Sequence, residues 1–455
     1  MVKFPDEILK EAEEKASEIH KPTSHKKRIK IGRFLRILGP GIVTGAADDD
    51  CSGIATYSQA GSQFGLKLPW TMLFTFPLMT AVQEACMRIG AVTGKGLAAV
   101  VRSNYSKKIL YPVVLLVVCA NTLNIGSDIG AMAASTELIF PNIPFAVLAI
   151  IIALLIITAE VLIPYRMYIH ILKWLAMALF AYFITAFLIN VPWKEVLTAT
   201  LIPQIEFNTA FLYIIVGVFG TTISPYLFFW QTSNVVEDEI ASHRLSLKNG
   251  VPKLSKSYLK KLRIDTVVGM LFSNVSAWFI IIVAAVVLNR AGVTNISSAA
   301  DAARALEPLV NTFPHAGFLA KLIFAIGVIG IGFQAIPVLA GSSAYAVAET
   351  FSWKEGLYRK FKQSRNFYFV IILGTLVGLI FNFIGFDPIK ALVFTAVFNG
   401  IAAVPLIYLI TKVSSREDIM GEHKSHWLSK LGLWTAFVVM GIFAVALLLS
   451  FIPFS

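Results

Sequence analysis

The chain has 455 residues, of which 56% are hydrophobic and only 15% charged, and its formal charge is +12; the mean hydropathy is +0.72. A soluble domain carries about 25% charged residues, so this composition excludes an ordinary soluble enzyme and points to a chain solvated by lipid. The Lys and Arg surplus falls in separate stretches between apolar runs rather than on one face, which excludes a nucleic-acid surface.

Residues 1–33 mix acids and bases without an apolar core and close on His25-Lys26-Lys27-Arg28, so they read as a cytoplasmic segment and not a cleavable signal. A helix crosses the hydrocarbon layer with roughly 20 apolar residues, because lipid cannot satisfy exposed backbone groups. Eleven such stretches follow, at 34–57, 68–92, 109–133, 143–163, 167–190, 210–234, 264–289, 316–343, 367–385, 388–410 and 431–453. Lys and Arg number ten in 1–36, five in 88–108, seven in 235–263, five in 352–365 and four in 412–430, against none in 131–145 and only Lys194 in 190–209. Positive flanks resist translocation. The expected protein is therefore multi-pass in the plasma membrane, with a cytoplasmic N-terminus and an extracellular C-terminus.

The chain divides as two five-helix repeats, 34–190 and 210–410, the second including a cytoplasmic loop at 235–263. An extracellular connector spans 191–209, and 411–455 adds a cytoplasmic loop and the eleventh helix. Repeats of opposite topology are how many secondary transporters are built, with discontinuous helices at corresponding positions. Both corresponding helices are interrupted here. The first passes Gly39-Pro40-Gly41 and Gly45 and then places Asp48, Asp49 and Asp50 at mid-membrane. Each ionised carboxylate there costs on the order of 2.5–3.5 kcal/mol, so the group must face a cavity, pair, or bind cations. The sixth carries Gly217, Gly220 and Pro225, which break the helical hydrogen-bond ladder. Unwound backbone frees carbonyl oxygens beside a carboxylate, a donor set suited to hard cations.

These residues resemble the NRAMP family of divalent-metal transporters. Gly39-Pro40, Asp50-Cys51-Ser52-Gly53 and Gln59-Ala60-Gly61-Ser62-Gln63-Phe64-Gly65 match the family's Gly-Pro start, Asp-Pro-Gly-Asn motif and Gln-Ala-Gly-x-Gln-aromatic-Gly run without a gap. The second helix ends on Glu84, Arg88, Gly90 and Thr93-Gly94-Lys95, as in the family, and Gly220-Thr221-Thr222-Ile223-Ser224-Pro225 resembles its sixth-helix motif. The resemblance implies an all-α, LeuT-type 5+5 inverted repeat plus an eleventh helix, with the metal held between helices one and six. It implies Asp50 as the anionic ligand and Asp128 on a proton route.

Departures from the family pattern bear on the cargo. Its asparagine is Gly53 and its methionine is Ser224, so a soft thioether ligand is replaced by a hard oxygen donor. Its two histidines are Tyr226 and Gln231, and the glutamate three residues after Asp128 is Ala131, none of which titrates near neutral pH. The expectation is a hard divalent cation, Mg²⁺ or Mn²⁺, carried as substrate with weakened or absent proton coupling; protons are the only other partner considered besides the bilayer. The metal candidates are Asp50, a Thr221 carbonyl, Ser224, Asp49, Asp48 and Gly53, and the polar pathway candidates are Asp128, Tyr226, Gln334 and Asn399. Glu84, Glu160 and Glu349 are expected to pair with Arg88, Arg166 and Lys354 at the cytoplasmic interface. No resident cofactor is expected, and the unit is expected to work as a monomer.

Two other functions fit the same architecture: a proton-coupled Mn²⁺/Fe²⁺ transporter of the usual NRAMP kind, and a carrier of organic amines. An intramembrane aspartyl enzyme needs two carboxylates on facing elements, which adjacent aspartates fit poorly.

Overall fold

The computed structural model describes residues 45, 48–162, 180–242, 244–245, 252, 254–311, 315–385 and 387–452. The expected cytoplasmic segment 1–33, the Gly39-Pro40 start and the opening of the fifth segment lie outside the described residues. Twelve helices carry the architecture described here: α1 Cys51–Phe64, α2 Trp70–Thr93, α3 Lys107–Glu137, α4 Phe145–Leu162, α5 Phe180–Leu188, α6 Thr209–Thr222, α7 Pro225–Ala241, α8 Lys256–Ala284, α9 Ala316–Phe351, α10 Arg365–Phe381, α11 Pro388–Ser415 and α12 Trp427–Ser450. Every expected segment corresponds to one of these, the sixth to the pair α6 and α7. Among the described residues seven spans are long and apolar enough to cross a membrane unaided, counting α6 with α7 as one.

Two helices are discontinuous. Asp48 is helical, Asp49 and Asp50 are not, and α1 starts at Cys51. Likewise Ile223 and Ser224 leave helical geometry between α6 and α7, and Pro225 occupies the first turn of α7, where its missing N–H costs nothing. Pro225 is thus a helix starter rather than a kink inside one helix.

The first helix runs on to Phe64 instead of ending near 57. Its extension is polar, and the polar groups bond within the protein: Ser62 Oγ donates to the Val293 carbonyl at 2.5 Å and Ile296 N–H donates to Gln59 Oε1 at 2.8 Å. Apolar runs alone truncate a helix whose far end is solvated by protein instead of lipid.

Position in the bundle follows from side-chain size and burial. α1 packs against α6, α8 and α11. A Cβ on Gly45 would lie 2.2 Å from the Gly269 carbonyl oxygen, and one on Gly220 would lie 2.0 Å from that of Ala396, so both approaches require glycine. In the most apolar 18-residue stretch of each, 94% of the α6–α7 residues but 28% of the α12 residues are buried, which sets one at the centre and the other at the rim. The rim helices present Leu154, Leu155, Ile442 and Val445 outward, a surface matched to lipid.

Candidate metal-transport site

The two helix breaks meet at Asp50. This residue caps α1: its Oδ1 accepts from Gly53 N–H at 2.8 Å and from Ser52 Oγ at 2.6 Å. An N-cap carboxylate at the positive end of a helix satisfies otherwise orphaned donors and fixes its own orientation. Its second oxygen, Oδ2, is buried without a hydrogen-bond partner. Gly53 therefore serves Asp50 through its backbone N–H. A Cβ there would sit 3.1 Å from Thr221 Oγ1, 3.3 Å from the Tyr57 ring and 3.6 Å from Asp50 Oδ1, so the volume of the absent asparagine is taken up by neighbours.

From α6, the Thr221 carbonyl accepts the Ser224 hydroxyl at 2.7 Å, and Gly220 O lies 3.1 Å from the same hydroxyl. The Thr221 carbonyl and Ser224 hydroxyl are thus engaged with each other. The free group is the Thr221 side chain, whose Oγ1 is fully buried and unpartnered and flanks the same point as Asp50. Tyr226 is buried beside Ser224 and lies within electrostatic reach of Asp50.

Asp48 and Asp49 turn to a different helix. Ser273 Oγ on α8 lies 2.7 Å from Asp48 Oδ2 and 3.0 Å from Asp49 Oδ1. Tyr57, which hydrogen-bonds Thr222 across to α6 at 3.1 Å, stands near the same carboxylates. Neither Ser273 nor Tyr57 was singled out by the sequence, since each looks like an ordinary helix residue until the neighbouring helix is in register. All three aspartates are at most 1% exposed.

Asp128 on α3 is also fully buried and lies within interaction range of Asp50 and of the Cys51 thiol. The nearby Cys51 thiol turns to the Val328 carbonyl at 3.5 Å. Gln334 and Asn399 are buried on α9 and α11, with Gln334 Oε1 and both Asn399 amide atoms unpartnered, and neither hydrogen-bonds the carboxylates. Asn399 shares a turn with Gly400, whose backbone N would lie 2.3 Å from a Cβ on Gly220.

At the expected cytoplasmic ends, Glu84 pairs with Arg88 at 3.1 Å as anticipated and additionally with Arg263 at 2.7 Å. Glu349 departs from expectation. Instead of Lys354, it accepts Ser233 Oγ at 2.8 Å and Ala99 N–H at 3.0 Å, because it caps the short helix Leu97–Asn104 from across the bundle. Arg166, the partner expected for Glu160, lies outside the described residues.

The family described as Natural resistance-associated macrophage protein-like matches residues 41–450. The chain belongs to the NRAMP family of divalent-metal transporters. It is a multi-pass membrane transporter and not an enzyme. Similar NRAMP chains include a divalent metal cation transporter MntH of Caldanaerobacter subterraneus subsp. tengcongensis, 25% identical over 90% of this chain and 92% of that one. MntH of Staphylococcus aureus is 24% identical over 92% of each. Among solved structures, the Eremococcus coleocola manganese transporter superposes with a TM-score of 0.70 at 17% identity, covering 94% of this chain and 89% of that one. MhsT in complex with L-phenylalanine gives 0.59 at 12% identity, covering 90% and 98%. The nucleobase-cation-symport-1 transporter Mhp1 gives 0.54 at 16% identity, covering 91% of each. At these identities the likeness establishes the LeuT-type fold of this NRAMP chain.

Proposed function

We propose that this NRAMP chain carries a hard divalent cation, Mg²⁺ or Mn²⁺, across the plasma membrane through a site at the paired helix breaks, with little or no coupling to protons. The observation that carries this reading is that Asp50 Oδ2 and the Thr221 hydroxyl are both buried without a hydrogen-bond partner, on residues that flank Gly53 where the two helix breaks meet. Oxygen donors suit Mg²⁺ and Mn²⁺, while softer metals favour sulfur. Ser224 stands where the family has a thioether, so that position offers an oxygen instead of a sulfur. Relatives named for manganese and divalent metals support the charge of the cargo.

The weak-coupling reading rests on Tyr226, Gln231 and Ala131, which replace titrating family residues. The positive loops support a cytoplasmic N-terminus and an extracellular C-terminus. The test is uptake of Mg²⁺, Mn²⁺ and Ca²⁺ into proteoliposomes with internal pH recorded. Entry of Mg²⁺ or Mn²⁺ without acidification is expected; acidification in proportion to metal entry contradicts weak coupling, and amine transport without metal flux contradicts the cargo.

A further inference from the structure

We infer that Asp48, Asp49 and Ser273 form a second divalent-cation position, so that the chain holds two cations at once on either side of the break before α1; this rests on Asp50 as the transport ligand. Three observations converge. The first is charge: Asp48, Asp49, Asp50 and Asp128 are each at most 1% exposed, and among the described residues the only buried basic side chain is Arg88, already paired with Glu84. One divalent ion neutralises half of this charge.

The second is the hydroxyl of Ser273, which contributes from a different helix. It has one proton and two carboxylate oxygens within hydrogen-bond distance, at 2.7 and 3.0 Å, so it can donate to only one of them. The remaining contact is between two acceptor oxygens, an arrangement that requires a proton or a cation between them, and the titration below separates the two. The third is that Asp48 Oδ1 and Asp49 Oδ2 are buried with no partner at all, leaving two further oxygens beside the hydroxyl. The donor set is all oxygen, as Mg²⁺ and Mn²⁺ prefer.

The geometry separates this position from the Asp50 site. Asp50 faces Gly53 and the Thr221 hydroxyl of α6, whereas Asp48 and Asp49 face α8. Asp49 and Asp50 are adjacent in sequence, so ions at the two positions fall within the range over which two Mn²⁺ broaden each other's resonance. Repulsion between them is offset by the four carboxylates, and occupancy of one position would help release the other ion.

The experiment is Mn²⁺ alone titrated into the purified full chain in detergent, followed by electron paramagnetic resonance. Two Mn²⁺ per chain with dipolar broadening are expected. Asp50→Ala is expected to retain one isolated Mn²⁺, as is the double variant Asp48→Asn with Asp49→Asn, with folding checked by size exclusion. Ser273→Ala is expected to weaken one equivalent about tenfold, and Ser273→Thr to restore it. A single Mn²⁺ in the native chain that disappears with Asp50→Ala overturns the second position, with protons balancing the other carboxylates, and leaves the transport site standing. A single Mn²⁺ that survives Asp50→Ala but is lost in the double variant overturns both assignments.

Discussion

The Ser224 hydroxyl donates to the Thr221 carbonyl at 2.7 Å, closing the unwound turn between α6 and α7 on itself. The residue that replaces a family methionine thus also controls whether a backbone oxygen is free. Ser224→Met removes that bond and brings a soft thioether to the site. Competition uptake is expected to shift preference from Mg²⁺ toward Mn²⁺ and Cd²⁺ by about tenfold, equivalent to about 1.4 kcal/mol.

Close approach of α6 and α11 depends on Gly220, because any Cβ would fall 2.0 Å from the Ala396 carbonyl oxygen. Gly220→Ala must push the helices apart, and overpacking of this kind costs typically 1–3 kcal/mol or more. A lower thermal midpoint in detergent together with lost uptake is the expected result. Gly317→Ala supplies the control: nothing lies within 4 Å of its Cβ position in the first turn of α9, so midpoint and uptake are expected to stay native.

The breaks were legible from the residues, because three aspartates and a Gly-Thr-Thr-Ile-Ser-Pro run cannot continue a lipid-facing helix. The family motif also placed Asp50 at the junction. What sequence could not supply was the register between helices. Ser273 is one of several small polar residues on α8, and only its placement opposite Asp48 and Asp49, fixed by the Gly45–Gly269 approach, distinguishes it. The Thr221 carbonyl, a ligand candidate from the sequence, also accepts a local hydroxyl, which the sequence does not show. Glu349 was assigned a partner near in sequence, Lys354, when its real partners Ser233 and Ala99 come from helices distant in the chain.

Arg88 joins α2 to the start of α12: its guanidinium reaches Glu84 at 3.1 Å, Ser425 Oγ at 2.9 Å and the His423 carbonyl at 3.2 Å. It is 6% exposed. Arg263 still faces Glu84 when Arg88 is removed, but the Ser425 hydroxyl and His423 carbonyl lose a charged, buried donor. Arg88→Met is expected to lower stability by about 3 kcal/mol, whereas Arg263→Met, whose side chain is 59% exposed, changes it far less. Unfolding midpoints of both variants test this.

The loop after α1 meets the segment before α6 through Lys67 and Glu206, 2.5 Å apart. The Lys67 hydrogen bond holds the Glu206 carboxyl below the usual carboxylate range. A lowered folded value means that its contribution is present above the ordinary glutamate range and fades as pH falls through the lowered value. Both groups are exposed and screened by salt. Glu206→Gln is therefore expected to leave the thermal midpoint unchanged at neutral pH and physiological salt.

The central claim is that Asp50, with its free Oδ2 at the helix break, holds the transported ion. Uptake of Mg²⁺ and Mn²⁺ into proteoliposomes bearing Asp50→Ala, beside the native chain at equal reconstitution, tests it most directly. Loss of flux for both ions in a variant that elutes as folded protein is the predicted result. Flux that persists at the native rate would contradict the site.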